Sequence, residues 1–371
     1  MSSKFLDGSR LIVEGAFQAG AEVYSGYPIT PANRIYFNAV RKAPMVLKAP
    51  DEITALQWAS GLSASGRIPL TATSGPGFAL MVETVSMAFM MELPVVIGIA
   101  QRLGPSTGSA TTGAQGDIGM LNRLTSGGYN FPVLCPSNLT DCFELAATSI
   151  HLALNLRTPA VLLTSKEMIQ TERSFDTSNL PPVDQVERNY FTGTDYHPYS
   201  ADETMVPEFV PLGSDRYKVR LTASTHDEDG FLQKANESSM ANTTRLNNKI
   251  AERIDEFSYF DYKSSEEADI LVVSYGITSY AAREAIAELR SQGRSVSLLI
   301  IKTLLPVPSE VKEIITRHDR VIVAEENLSG LYREILFGEM KPNGVTGVNA
   351  IGRMVSPDDI IQEVNQHGFS D

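Results

Sequence analysis

Short apolar runs that end in glycine, serine, threonine or proline alternate with helix-length amphipathic runs along the first half of the chain. That alternation is the strongest constraint on the fold. Gly8 to Ala19 reads as an amphipathic helix, and Ala21 to Ser25 as a strand that ends at Gly26, with Pro31 placed for the first turn of the next helix. Glu52 to Ser65 reads as a helix, Leu70 to Thr73 as a strand, Ser74 to Gly77 as a turn and Ala79 to Met91 as a helix. Val95 to Ala100 is apolar without interruption, the pattern of a strand buried on both faces. Helix Cys142 to Leu156 and strand Ala160 to Thr164 follow. Strands joined through helices must run parallel, so the expected class is α/β with a doubly wound sheet.

Between about 174 and 263 the alternation stops. Pro181-Pro182, Pro198, Pro207 and Pro211 punctuate a polar, aromatic-rich stretch in which only Ser238 to Phe257 looks helical. Its aromatic content predicts a long irregular connector packed over the domains and not a disordered linker. The α/β rhythm resumes with strands Ile270 to Ser274, Val296 to Ile301 and Val321 to Glu325, with helices from Ser279 to Ser291 and Ser309 to Thr316. The expected organisation is therefore a first domain over 1–180, a connector over 181–265 and a second doubly wound domain over 266–371.

A formal net charge of -13 argues against nucleic acid as a partner, since phosphate binding needs a basic face. The chain has two cysteines, Cys135 and Cys142, whereas an iron–sulfur cluster needs about four thiolates. The five histidines are scattered, so no metal site is expected and the cysteines read as thiols of a reducing cytoplasm. Thr84 to Ala100 is broken by Glu92 and Pro94, too short to span a bilayer, and Met1 to Phe17 lacks the apolar core of a signal peptide. A cytoplasmic protein without a membrane segment is expected.

Three loop regions after predicted strands hold the candidate chemistry, because parallel sheets bind ligands beyond the carboxyl ends of their strands. Gly26-Tyr27-Pro28-Ile29-Thr30-Pro31-Ala32 is stiffened by two prolines and offers the Thr30 hydroxyl. Asp51-Glu52 opens a helix. Thr73-Ser74-Gly75-Pro76-Gly77 and Gln101 to Gly108 are rich in glycine and hydroxyls, and Arg102 follows an apolar strand where its planar fork can hold a carboxylate. Taken singly, Thr30 and Glu52 read first as helix caps or dipole partners, and Arg102 as readily as a structural ion pair.

In order and spacing, however, these segments resemble the α subunit of the 2-oxoacid:ferredoxin oxidoreductases. GYPITPA at 26–32, DEI at 51–53, TATSGPGFALM at 71–81, and QRLGPSTG with AQGD at 101–108 and 114–117 carry the resemblance in the first domain. THDEDG at 225–230, KTLLPVP at 302–308 and VAEENLSGL at 323–331 carry it through the connector and into the second domain. The resemblance implies a pyrimidine-type thiamine diphosphate domain followed by a transketolase C-terminal-like domain. It implies that Glu52 is catalytic, hydrogen-bonding the aminopyrimidine ring and favouring the tautomer that deprotonates the thiazolium. Thr30 and Arg102 would face the substrate carboxylate, and Tyr27, Pro28, Ile29, Ser74, Gly75 and Pro76 would join Glu52 around the cofactor. The loop departs from the family at Gly108-Ser109-Ala110-Thr111, where GLPT is common, and Leu103 stands where glycine is common.

The chain has Gly116-Asp117-Ile118 and no GDG segment for a metal-held diphosphate. The resemblance therefore implies a β subunit that carries the diphosphate site, its Mg2+ and a [4Fe-4S] cluster. It further implies CoA as co-substrate, ferredoxin as acceptor, and γ and δ subunits in the four-chain form. The expected reaction is CoA-dependent oxidative decarboxylation of a 2-oxoacid, active only with partners. 2-Oxoglutarate leads over branched-chain, aryl and pyruvate substrates, with Arg34, Lys48 and Arg123 as candidate cations for its second carboxylate. The competing readings are a non-redox thiamine diphosphate lyase or transferase subunit and a binding module that has lost catalysis.

Overall fold

The computed structural model describes residues 3–266 and 268–367. Met1, Ser2, Glu267 and residues 368–371, with the outer ends of the expected domains, lie outside the described residues.

In chain order the first part comprises β1 (Ser3–Leu6), α1 (Gly8–Gln18), β2 (Val23–Gly26), α2 (Asn33–Lys42), β3 (Met45–Lys48), α3 (Glu52–Ala64), β4 (Pro69–Thr73), α4 (Gly75–Met90) and β5 (Val95–Gln101). It continues through α5 (Ile118–Leu121), β6 (Val133–Leu134), α6 (Leu139–Asn155), β7 (Pro159–Ser165), α7 (Lys166–Gln170) and β8 (Arg173–Asp176). The later part holds α8 (Glu237–Ala251), β9 (Phe260–Lys263), β10 (Ile270–Tyr275), α9 (Ser279–Ser291), β11 (Val296–Ile301), β12 (Thr303–Leu305), α10 (Ser309–Thr316), β13 (Arg320–Glu325), α11 (Leu331–Phe337), β14 (Val345–Asn349) and α12 (Pro357–His367).

A seven-stranded sheet of order β12-β6-β7-β5-β4-β2-β3 forms the first layer system, with every pair parallel except β12–β6. A five-stranded sheet of order β14-β13-β10-β11-β9 forms the second, parallel except for its edge strand β9. The α/β class and both doubly wound sheets match the sequence reading. β5 and β7 are buried along their whole length, as their uninterrupted apolar character requires.

Two local expectations are corrected. Ser74 to Gly77 is not a turn: Ser74 is the N-cap of α4, and Gly75, Pro76 and Gly77 form its first turn. Proline is tolerated there because its missing N–H would have had no intrahelical acceptor. Pro31 does not begin α2 either; that helix starts at Asn33, after a turn that contains a cis Thr30–Pro31 peptide.

The connector is irregular but anchored. Glu92, fully buried at the end of α4, bonds Lys249 Nζ at 2.7 Å and pairs with the Arg245 guanidinium, both from α8. Burial pushes the Glu92 carboxyl up, but Lys249 and Arg245 together hold it well below the usual carboxylate range. Arg157 Nη1 donates to the carbonyls of Pro207 and Glu208 at 3.0 and 2.9 Å, and His226 is buried against Tyr199 with Asn242 at 3.0 Å from its Nε2. Strand β9, late in this stretch, is the edge of the second sheet. Strand β12 leaves the second half to pair with β6 in the first sheet, which locks the halves together.

Candidate active site

Strands β2, β3, β4 and β5 are neighbours, so the loops that follow them open along one edge of the first sheet. These are the four loops selected from the sequence, and the fold brings them together.

Asp51 caps α3: its carboxylate accepts the Thr54 N–H at 2.7 Å. Glu52 is thereby relieved of capping. It is only 7% exposed, and its carboxylate has no hydrogen-bond partner among the described residues. A buried carboxylate without a partner costs free energy, which a ligand donor would recover. Its place is set by Gly77 in the first turn of α4. A Cβ at Gly77 would come within 2.6 Å of Glu52 Oε1 and 2.7 Å of its Cγ, and would clash with Thr73 Oγ1. Ser74 caps α4 by backbone alone; its hydroxyl is fully buried and unpartnered.

Arg102 follows β5 and is 7% exposed. It makes no ion pair among the described residues; its Nη1 instead donates to the Thr30 carbonyl at 2.6 Å, and its Nε has no partner. The arginine thus ties the β5 loop to the β2 loop with part of its fork uncommitted. The Thr30 hydroxyl caps nothing, since the N-cap of α2 is Ala32 and has no side-chain cap bond. Tyr27 and Pro28 are exposed, Ile29 and Thr30 half-buried, so this loop forms the outer lip.

Three residues at this edge were not assigned a role from the sequence. Gly77 lies within the TATSGPGFALM segment at 71–81, and its need for a missing Cβ is visible only in three dimensions. Asp117 is 9% exposed, its Oδ2 is unpartnered, and burial pushes its carboxyl up to about 7 against the pull of Arg102. Gln115 fastens this segment to the second sheet: its Nε2 donates to the Tyr275 carbonyl at 3.0 Å, and its Oε1 accepts from Thr278 Oγ1 and the Glu326 N–H, both at 2.8 Å.

Of the three cations considered for a second carboxylate, Arg34 is engaged by Asp7 at 2.9 Å and Glu172 at 3.0 Å. Lys48 ends β3 in register with Gly26, at the same sheet edge as the site, and is exposed. Arg123 is exposed beyond α5, in a left-handed conformation at φ 61°. Cys135 and Cys142 are buried, and burial raises both thiols above their ordinary value, the opposite of what a thiolate ligand needs. No cluster of three or more His, Cys, Asp or Glu side chains suited to a metal occurs among the described residues, and no helix there is long and apolar enough to cross a membrane.

Residues 14–245 match the thiamine diphosphate-binding domain of pyruvate flavodoxin/ferredoxin oxidoreductase, and residues 268–363 match core domain II of pyruvate:ferredoxin oxidoreductase. The chain is 32% identical to the 2-oxoglutarate synthase subunit KorA of Methanothermobacter thermautotrophicus, over 89% of each chain. It is 30% identical to the ketoisovalerate oxidoreductase subunit VorB of the same organism, over 99% of this chain and 98% of that one. A solved 2-oxoglutarate:ferredoxin oxidoreductase from Magnetococcus marinus, with 2-oxoglutarate, coenzyme A and succinyl-CoA bound, superposes with a TM-score of 0.90 at 25% identity. The match covers 98% of this chain and 65% of that one. A split-gene transketolase shares the fold alone, at a TM-score of 0.53 and 14% identity. The chain belongs to the 2-oxoacid:ferredoxin oxidoreductases, as a subunit of their α, KorA-like kind.

Proposed function

We propose that this chain supplies the aminopyrimidine side of a thiamine diphosphate site that oxidises a 2-oxoacid, with 2-oxoglutarate as substrate. The observation that carries the reading is Glu52: buried, free of the capping role that Asp51 fills, and unpartnered. The cofactor fits this edge, because the Ser74 hydroxyl is buried without a partner, the Glu52 carboxylate makes no hydrogen bond within the described residues, and the loop 26–30 offers an exposed wall. Thiamine diphosphate, when bound, supplies the electron sink for breaking the bond to the substrate carboxylate. Glu52 accepts a hydrogen bond from the ring and fixes its protonation. Arg102 and Thr30 orient the substrate carboxylate, while Tyr27, Pro28, Ile29, Ser74, Gly75 and Pro76 shape the surrounding wall.

We assign the Mg2+, the diphosphate site and the [4Fe-4S] cluster to a β subunit. CoA is the acyl acceptor and ferredoxin the electron acceptor, with γ and δ chains in the four-subunit form. The buried, raised thiols of Cys135 and Cys142 support placing the cluster elsewhere. So do α3 and α4, which both start at the site and leave Ile53, Trp58 and Leu80 exposed, an apolar face suited to a partner chain. For the second carboxylate of 2-oxoglutarate we favour Lys48, because Arg34 is already paired.

The test is Glu52→Gln in the assembled complex, followed by 2-oxoglutarate-dependent reduction of a viologen dye. Turnover should fall about 100-fold or more with the complex intact. Wild-type turnover would refute the assignment.

A further inference from the structure

We propose that Asp117 is a positioning residue for Arg102, and that its charge state sets how tightly the site takes the substrate carboxylate. The inference rests on Arg102 being the carboxylate-binding group.

An aspartate just ahead of a helix is ordinarily its cap. Asp117 precedes α5, but its side chain makes no cap bond to it. Its carboxylate instead faces the backbone N–H and the charge of Arg102, while its Oδ2 has no hydrogen-bond partner. On its other side it lies against the first turn of α4: a Cβ at Gly75 would sit 2.8 Å from Asp117 Cγ and Oδ2. Asp117 therefore fills the gap between the β5 loop and the start of α4. Arg102 then reaches from that loop to the Thr30 carbonyl. Two residues before Asp117, Gln115 is bonded to Tyr275, Thr278 and Glu326 of the second sheet. The position of Asp117 is thus fixed by the joint between the sheets, with α5 contributing a single turn.

The charged groups around Asp117 are few. Arg102 faces it from the β5 loop. Glu52 of α3 sits against Gly77, two residues along α4 from Gly75. From the second sheet, Glu326 meets Gln115 through its backbone, and its carboxylate accepts the Val355 N–H. Burial lifts the Asp117 carboxyl to about 7. Below that value Asp117 is neutral, and the substrate carboxylate meets the full charge of Arg102. Above it, an aspartate anion offsets that charge and repels the incoming carboxylate. The substrate carboxylates are ionised throughout this range, so their own titration does not contribute.

The experiment is the pH dependence of KM for 2-oxoglutarate in the assembled complex, from pH 6 to 8.5, at saturating CoA with a viologen acceptor. Wild-type KM should rise on the order of tenfold, the effect of one added charge several ångströms away in a partly buried site, while kcat does not share the inflection. Asp117→Asn keeps the shape that packs against Gly75 and an oxygen facing the Arg102 N–H but cannot titrate, so its KM should be low and flat with pH. Asp117→Ala empties the gap between the β5 loop and the start of α4, and its KM should be raised at every pH. A wild-type KM that is flat, or a slope that persists in Asp117→Asn, overturns the proposal. If Asp117→Asn fails to assemble, the wild-type profile decides alone. Glu52→Gln run in parallel separates the two ideas: loss of its turnover with a flat wild-type KM refutes only the role of Asp117.

Discussion

Gly77→Ala is the most informative single perturbation, because it moves Glu52 without altering its chemistry. The added Cβ would clash with Thr73 Oγ1 and approach Glu52 Oε1 to 2.6 Å. Thr73 is fully buried in β4 and has little room to yield, so the displacement falls on Glu52. Overpacking of this kind costs about 1–3 kcal/mol. Alanine in a helix returns up to about 1 kcal/mol relative to glycine. The net loss of stability is therefore about 0–2 kcal/mol, a shift of a few degrees at most in a chain of this size. The effect on catalysis should be far larger, since a displacement of about 1 Å in a reacting group can cost about 100-fold. The assay is viologen-linked turnover of the assembled complex beside its thermal midpoint. A midpoint within a few degrees of wild type with turnover down about 100-fold is the expected result. Full turnover would show that the carboxylate position enforced by Gly77 is irrelevant to the reaction, and the reading of Glu52 would fall with it.

Lys48→Met should raise KM for 2-oxoglutarate several-fold while changing that for a monocarboxylic branched-chain 2-oxoacid little; equal effects on both would remove Lys48 from the substrate site. Glu92→Gln leaves Lys249 and Arg245 without their buried counter-charge and should cost about 3–5 kcal/mol, read as a thermal midpoint lower by on the order of 10 °C; a midpoint unchanged within error contradicts the anchoring role. Glu326 is pushed up to about 7, first by burial and then by Glu167, despite the Val355 N–H. The unfolded chain ionises near pH 4.3, so the native state binds more protons between about 4.3 and 7, and this contribution to stability is present below that window and lost as pH rises through it. Glu326→Gln should accordingly flatten the fall in urea midpoint between pH 5 and 8, and an unchanged slope would assign that fall to other groups.

Much of this architecture was legible because strands buried on both faces have no choice of residue type. Val95 to Ala100 and Ala160 to Thr164 were located to within a residue or so for that reason. Errors fell where one local rule competed with another. Ser-Gly-Pro-Gly satisfies turn chemistry, yet the same proline also fits the first turn of a helix, and the packing of α4 against α3 and β5 decides the matter. Strand β12, with three residues, carries too little pattern to be read, and it gains its place from the long-range pairing with β6. In the site, Glu52, Arg102 and Thr30 were picked out by type and by position after strands. Asp117 and Gln115 were not, because each acts on segments distant in the chain. Gln115 meets Tyr275, Thr278 and Glu326, more than 150 residues away.

The same contacts explain why a site on the first sheet depends on the second half of the chain. Loop 102–117 carries Arg102 at one end and Gln115 and Asp117 at the other, and no strand spans it. A loop of this length would lose substantial conformational entropy if it had to order itself. Here its far end is pinned by Gln115 to the loops after β10 and β13, and its near end by the bond from Arg102 to the Thr30 carbonyl. Asn327 strengthens the far anchor: it donates to the Gln115 carbonyl at 3.3 Å, and its Oδ1 accepts the Gly330 N–H at 2.8 Å. The Glu-Glu-Asn run at 325–327 therefore serves the first sheet by holding the loop that positions Arg102. A change in how the two sheets sit would move Gln115, then Asp117, then the arginine. On the function proposed above, the second sheet therefore supports the substrate site through Gln115, although it contributes none of the groups assigned to touch the substrate.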